Sequence, residues 1–196
     1  NVQKSWDLCL LLTGKPSEHK HILVFQAHIL QNYVFITNAG QDIGVGHIMR
    51  CTAIADLLKR GRAAELHFIC MTLPDGTERR LAQSGYNVHI VETLADTLSV
   101  VSSLRPVCAF VDDYRVDAGF EKDLRPYSNS IFVIDDLANR RHHCDFLLDS
   151  DPFKKVCTYE RLVNPNCQLL LGVDYTLLRS EFLQHRKTSI DAWHSG

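Results

Sequence analysis

Tyr33-Val34-Phe35-Ile36, followed by Thr37-Asn38-Ala39-Gly40 and then Ile43-Gly44-Val45-Gly46-His47-Ile48-Met49-Arg50, is the stretch whose reading decides the fold. An apolar run gives way to a polar turn, and two glycines then open a helical pattern. Glycine lets the backbone turn sharply and leaves room for a ligand close to the main chain. A helix that starts after such a turn offers unpaired N–H groups, a natural seat for an anion. In the helix that follows, Ile48, Cys51, Ala55 and Leu58 fall on one face, with Arg50, Asp56 and Arg60 largely off it. Gly61 supplies the C-terminal stop. Strand, glycine turn, helix is the opening unit of an α/β sheet.

The same alternation continues outward. Apolar strand-like runs lie at 33–36, 66–70, 88–91, 107–111, 131–134 and 146–148, with a further run at 168–171. Helical patterns fall between several of them, at 48–59, 78–84, 94–104 and 118–124. Strands that are apolar on both faces and alternate with helices predict a Rossmann-like parallel sheet with helices on both faces. Ligands of such sheets bind beyond the carboxyl ends of the strands. That rule gathers the 39–47 turn, Asp112-Asp113-Tyr114 and Asp135-Asp136 along one edge.

The flanks are less regular. Residues 1–30 read as an extension, broken at Gly14-Lys15-Pro16-Ser17, with Ile22-Leu23-Val24-Phe25 as one strand-like run. Residues 31–182 form the regular domain, and 183–196 a tail without strong periodicity. The chain has 196 residues, 45% of them apolar, which is ample for a core. A net charge of −2 without a basic stripe gives no electrostatic case for nucleic acid. Leu8-Cys9-Leu10-Leu11-Leu12 is too short to span a bilayer, so no membrane segment is expected. Seven cysteines, odd in number and without a CxxC pair, read as reduced thiols in a cytoplasm rather than a disulfide framework.

His47 sits where the glycine turn meets the helix. A neutral imidazole there can take a proton from water, as a general base must; the plain alternative is a histidine that merely caps the helix. Asp112-Asp113-Tyr114 ends a strong strand, where Tyr114 can hydrogen-bond a sugar hydroxyl or stack on a ring. Aspartates at strand ends also bind Mg²⁺ in phosphoryl-transfer receivers, but a receiver needs acidic residues after its first strand, and Thr37-Asn38-Ala39-Gly40 has none. No metal or other cofactor is expected. Asp135-Asp136 repeats the strand-end arrangement, and Arg140-Arg141-His142-His143-Cys144-Asp145 follows. Adjacent ligands without a second spaced pair make poor zinc geometry, so this cluster is expected to fix a loop by hydrogen bonds and salt links.

These residues resemble those of a known family, the UDP-2,4-diacetamido-2,4,6-trideoxy-altropyranose hydrolases of pseudaminic acid biosynthesis, relatives of GT-B glycosyltransferases. The carriers are 43–51 (Ile-Gly-Val-Gly-His-Ile-Met-Arg-Cys), Val111-Asp112-Asp113-Tyr114, and Val133-Ile134-Asp135-Asp136-Leu137-Ala138-Asn139-Arg140 with His142 and Cys144-Asp145. Leu169-Leu170-Leu171-Gly172, Tyr175 and Leu177-Leu178-Arg179-Ser180-Glu181-Phe182 close the match. The resemblance implies the N-terminal domain of a GT-B-like fold and a UDP-linked amino sugar as ligand, with water attacking the anomeric carbon to release UDP. It implies His47 and Tyr114 as catalytic residues, and Ile43, Gly44, Val45, Gly46, Arg50 and Asp113 as substrate-binding. It also implies a second, nucleotide-binding domain that this sequence does not contain, so the isolated chain is expected to be weak or inactive. Where the family places an arginine and an acidic residue before the glycine turn, this chain has Ile36 and Asn38. Half of a GT-B glycosyltransferase, or a non-catalytic docking module, are the alternative expectations.

Overall fold

In a computed structural model, described for residues 30–40, 43–61 and 64–177, seven strands form one parallel sheet. They are β1 (Gln31–Thr37), β2 (Ala64–Cys70), β3 (Asn87–Ile90), β4 (Cys108–Asp112), β5 (Ser130–Ile134), β6 (Phe146–Asp149) and β7 (Gln168–Leu171). Helices α1 (Gly46–Gly61), α2 (Thr77–Gln83), α3 (Leu94–Leu104), α4 (Ala118–Leu124) and the single turn α5 (Val156–Tyr159) supply every crossover except that from β5 to β6. A 3-10 turn, Val173–Tyr175, follows β7. The strand order β3-β2-β1-β4-β5-β6-β7 reverses direction between β1 and β4. That reversal is a topological switch point, where neighbouring crossovers leave to opposite faces and a crevice opens beyond the strand ends.

The alternation within each strand explains why both faces are covered. Tyr33 and Phe35 point to one face with Ile48, Cys51, Ile54, Ala55 and Leu58 of α1. Val34 and Ile36 point to the other, which Val101 of α3, Leu124 of α4 and Tyr159 of α5 cover. The helix face predicted for α1 is the buried one. The parallel register also aligns five phenylalanines in one row across the sheet: Phe68, Phe35, Phe110, Phe132 and Phe146. Their neighbouring ring centroids lie 4.8, 4.8, 5.2 and 5.9 Å apart. Phe110 sits at the middle of the row and is fully buried. Phe110→Ala should therefore destabilise the fold by roughly 3–5 kcal/mol, read by urea unfolding. A cost below about 1 kcal/mol would mean that the row does not carry the packing.

Local signals end the elements where the sequence predicts, within a residue or two. Thr93 and Asp96 form a capping box at the start of α3, and Asp117 caps α4 by accepting from Gly119 and Phe120 N–H. The short α5 and the 3-10 turn fall where the sequence pattern loosens after Asp149, too short for periodicity to reveal. The expected extension, its 22–25 run, the tail and the last part of the closing motif lie outside the described residues.

Candidate functional site

The switch point brings β1 and β4 side by side, with Thr37 opposite Asp112. The glycine turn after β1 is closed by a pair of backbone hydrogen bonds between Gly40 and Gly44, at 3.2 and 2.7 Å. Gly44 sits at φ +74°, a conformation that a side chain strains. Gly46 carries no such φ, and a Cβ there would meet nothing within 4 Å. Ile43, Gly44, Val45 and Gly46 are all exposed. Helix α1 then begins, and His47 in its first turn is turned inward, 4% exposed.

His47 Nδ1 lies 2.5 Å from Asp112 Oδ1. A carboxylate accepts, so Nδ1 carries the ring proton and Nε2 is left as the basic nitrogen. One helical turn later, Arg50 donates from Nε to Asp112 Oδ2 at 2.9 Å and from Nη2 to Asp112 Oδ1 at 2.8 Å. Its Nη1 donates to Asp136 Oδ2 at 2.8 Å. Burial works against the Arg50 charge, but Asp112 and Asp136 outweigh it and hold the guanidinium firmly protonated. Tyr114 donates to Asp136 Oδ1 at 2.7 Å, and its ring meets His47 edge-on with centroids 4.6 Å apart. The guanidinium of Arg140 lies 5.8 Å from the Tyr114 ring centre. Burial and the Asp136 carboxylate both push the Tyr114 phenol up, so its proton stays on. One connected chain thus runs His47–Asp112–Arg50–Asp136–Tyr114, contributed by α1, the end of β4 and the turn after β5.

Of the residues that the sequence points to, His47, Arg50 and Tyr114 meet here. Asp113 does not face this group. It is buried, accepts from Asn38 Nδ2 at 2.5 Å, and pairs with Arg115 Nη2 at 2.9 Å. Asn38 in turn accepts from the Met71 and Thr72 N–H groups at 2.7 and 2.8 Å. Its side chain therefore ties the ends of β1, β2 and β4 together. An aspartate at 38 would have no hydrogen to give Asp113 and would set two carboxylates face to face. Asn38 therefore supplies hydrogen-bond support to the turn. Asp112 and Asp136 join the group from strand ends that the sequence marks, but nothing in a sequence shows which of two adjacent aspartates faces the crevice.

Beneath the site lies a second buried network. Asp135 accepts from Arg140 Nη1 at 2.7 Å, Ala138 N–H at 2.8 Å and Tyr159 Oη at 3.1 Å. The one Tyr159 hydroxyl hydrogen is shared with Asp149 Oδ2, the nearer carboxylate oxygen at 2.7 Å. His142 Nδ1 lies 2.7 Å from Glu121 Oε1, and its Nε2 faces Asp135 Oδ1 at 3.8 Å, an ion-pair distance. The His143 N–H donates to Glu121 Oε2. Asp145 holds Arg125 and the Ile131 N–H. The 140–145 cluster fixes its loop by hydrogen bonds and salt links, as expected. This network sets the turn that aims Asp136 at Arg50 and Tyr114.

Burial disfavours the charged form of His142, but Asp135 and Glu121 outweigh it and raise the imidazole to about 9 from an ordinary 6.5. A folded-state value above the unfolded one gives stability that is full below pH 6.5 and lost as pH rises to about 9. The stability difference between the parent chain and His142→Gln should accordingly shrink over that window, measured by urea unfolding at pH 6 to 10. A difference that stays constant would place a neutral imidazole at 142.

The carboxyl edge also carries a row of exposed apolar side chains. Ile43 and Val45 follow β1, Leu137 follows β5, Phe153 and Val156 follow β6, and Val173 follows β7. Phe153 is 86% exposed. No helix among the described residues is long and apolar enough to cross a membrane.

Comparison with known proteins places this geometry in context. No family model matches the chain. One relative is a UDP-2,4-diacetamido-2,4,6-trideoxy-beta-L-altropyranose hydrolase of Campylobacter jejuni, 25% identical over 154 residues, which are 79% of this chain and 54% of that protein. Another is an uncharacterized protein of Methanocaldococcus jannaschii, 21% identical over 78% of this chain and 32% of that protein. The chain thus spans about half the length of the first relative and a third of the second. Among solved structures, the NAD(P)-binding domain of an exopolyphosphatase-related protein from Archaeoglobus fulgidus is similar at a TM-score of 0.33 and 15% identity, covering 83% of this chain and 98% of that one. At that score the likeness carries no argument about the site. The identity to the Campylobacter jejuni hydrolase, spread over most of the chain, supports a distant relationship to that enzyme.

Proposed function

We propose that this chain is the sugar-side half of a hydrolase acting on a UDP-linked deoxy amino sugar. The observation that carries the reading is the buried His47–Asp112 pair at 2.5 Å, with Tyr114 against the imidazole at the switch point of the sheet. Asp112 fixes the tautomer that leaves Nε2 basic. Nε2 takes a proton from water, the water oxygen attacks the anomeric carbon, and the bond from that carbon to the phosphate oxygen breaks. UDP leaves with that oxygen, and the sugar leaves with the hydroxyl from water. General-base action of this kind is worth roughly 10²–10⁴-fold in rate.

The proton inventory favours a sugar over a phosphate at this end of the ligand. Arg50, Arg115 and Arg140 are each paired with an aspartate at or just after a strand end, so no unpaired guanidinium among them faces a diphosphate. Tyr114 has committed its proton to Asp136, which leaves its oxygen to accept from a hydroxyl or amide N–H. The exposed apolar row at the carboxyl edge supports a second body closing the crevice, and in this reading that body holds the nucleotide. The isolated chain then turns over weakly or not at all. Substrate runs past the 43–46 turn, where a Cβ on Gly46 would meet no protein atom within 4 Å. Gly46→Ala should leave unfolding stability within about 0.5 kcal/mol of the parent while lowering activity, because the added methyl meets only ligand.

The test is release of UDP from the diacetamido-trideoxy-altrose nucleotide, by the chain alone and with an added nucleotide-binding half. Free sugar without any acceptor supports a hydrolase; sugar transfer that requires an acceptor supports a glycosyltransferase half. Binding of a partner without release in either case supports a docking module.

A further inference from the structure

Cys144 and Cys167 stand apart in the sequence, yet their sulfurs lie 3.6 Å apart. The sheet brings them together. Phe146 pairs with Gln168 in the register of β6 and β7, and the Gln168 N–H donates to the Asp145 carbonyl at 2.8 Å, so both cysteines precede paired strands at the same edge. That edge is opposite the candidate site. Cys144 is fully buried, whereas Cys167 is partly exposed.

We propose that Cys144 and Cys167 are an oxidisable pair that closes to a disulfide when the chain meets a peroxide. The Cys167 thiol gives its proton to solvent, and its sulfur, reachable from solvent, attacks one peroxide oxygen; the O–O bond breaks, hydroxide leaves and takes a proton back from solvent to become water, and Cys167 becomes a sulfenic acid. The Cys144 sulfur, already in contact, then attacks the Cys167 sulfur. The S–O bond breaks, the departing hydroxide takes the Cys144 proton, and a second water forms. Two thiols lose two electrons, and one peroxide is reduced to two waters. The order of roles follows from the environment. The hydrogen bond to Cys167 and burial hold the Cys144 thiol protonated, so it is the resolving partner rather than the first nucleophile. Contact between the sulfurs compensates for a weak nucleophile, because the second step is intramolecular. The link would fasten the segment after His142 to the turn before β7 and leave the crevice free.

The test is hydrogen peroxide treatment of the folded chain, then alkylation, proteolysis without reduction, and mass spectrometry. The expected product is a peptide joining 144 to 167 that has lost two hydrogens, formed by most of the chain. Cys157→Ser should still give it, because Cys157 is exposed and outside the pair. Cys167→Ser should abolish it and leave Cys144 as a free thiol, without disturbing a buried position. Over-oxidation of Cys167 to sulfinic acid with Cys144 still reduced would overturn the proposal, as would links from Cys167 to Cys157 in preference to Cys144.

Discussion

His47→Ala is expected to lower UDP release by roughly 10³-fold or more, since it removes the base and leaves only binding and orientation. Asp112→Asn should come close to that loss, for a different reason. An asparagine keeps the shape but can present N–H to the ring, so Nδ1 no longer has to carry the proton and Nε2 is no longer fixed as the base. It also removes the carboxylate that Arg50 holds with two nitrogens. Tyr114→Phe deletes one hydrogen bond to Asp136 while leaving the ring against His47, so a smaller loss of roughly 10-fold is expected. Steady-state or single-turnover kinetics of the three variants check the order. An Asp112→Asn variant as active as the parent would remove Asp112 from the mechanism.

Glu121→Ala should match Phe110→Ala in damage, at about 3–5 kcal/mol of stability by urea unfolding. Glu121 is wholly buried, and its two oxygens serve His142 Nδ1 and the His143 N–H. Truncation strands a buried donor and leaves the imidazole with Asp135 alone, at 3.8 Å. Glu121→Gln keeps an acceptor while losing the charge, so it should cost less than the alanine. A loss under about 1 kcal/mol for Glu121→Ala would show that water or a shift of the loop replaces the carboxylate. Because the same loop aims Asp136, activity should fall with stability in this variant.

Much of the fold was legible in the sequence because the pattern is strong where both faces are buried. Val34 and Ile36 serve one layer while Tyr33 and Phe35 serve the other, so the run reads as a covered parallel strand before any pairing is known. The row of five phenylalanines was not legible, since it exists only once register is set. The site divides in the same way. His47 and Tyr114 stood out as residue types at a turn and a strand end. Asp112 and Asp113 look alike on paper, and only the alternation at the end of β4 sends the first to His47 and the second to Asn38. Asn38 looked like a lost charge; in place it is the donor that a buried carboxylate needs. Cys144 and Cys167 read as scattered thiols, because a 23-residue separation carries no trace of two strand ends meeting.

The measurement that bears most directly on the base assigned to His47 is a single turnover of the diacetamido-trideoxy-altrose nucleotide in ¹⁸O-labelled water. The chain is held in large excess, so that weak binding does not hide the chemistry. The expected result is slow UDP release by the parent chain, with the label in the free sugar, and no release by His47→Ala. Release that persists in His47→Ala, label appearing in the UDP phosphate, or no release even in protein excess with a nucleotide-binding half added would contradict it.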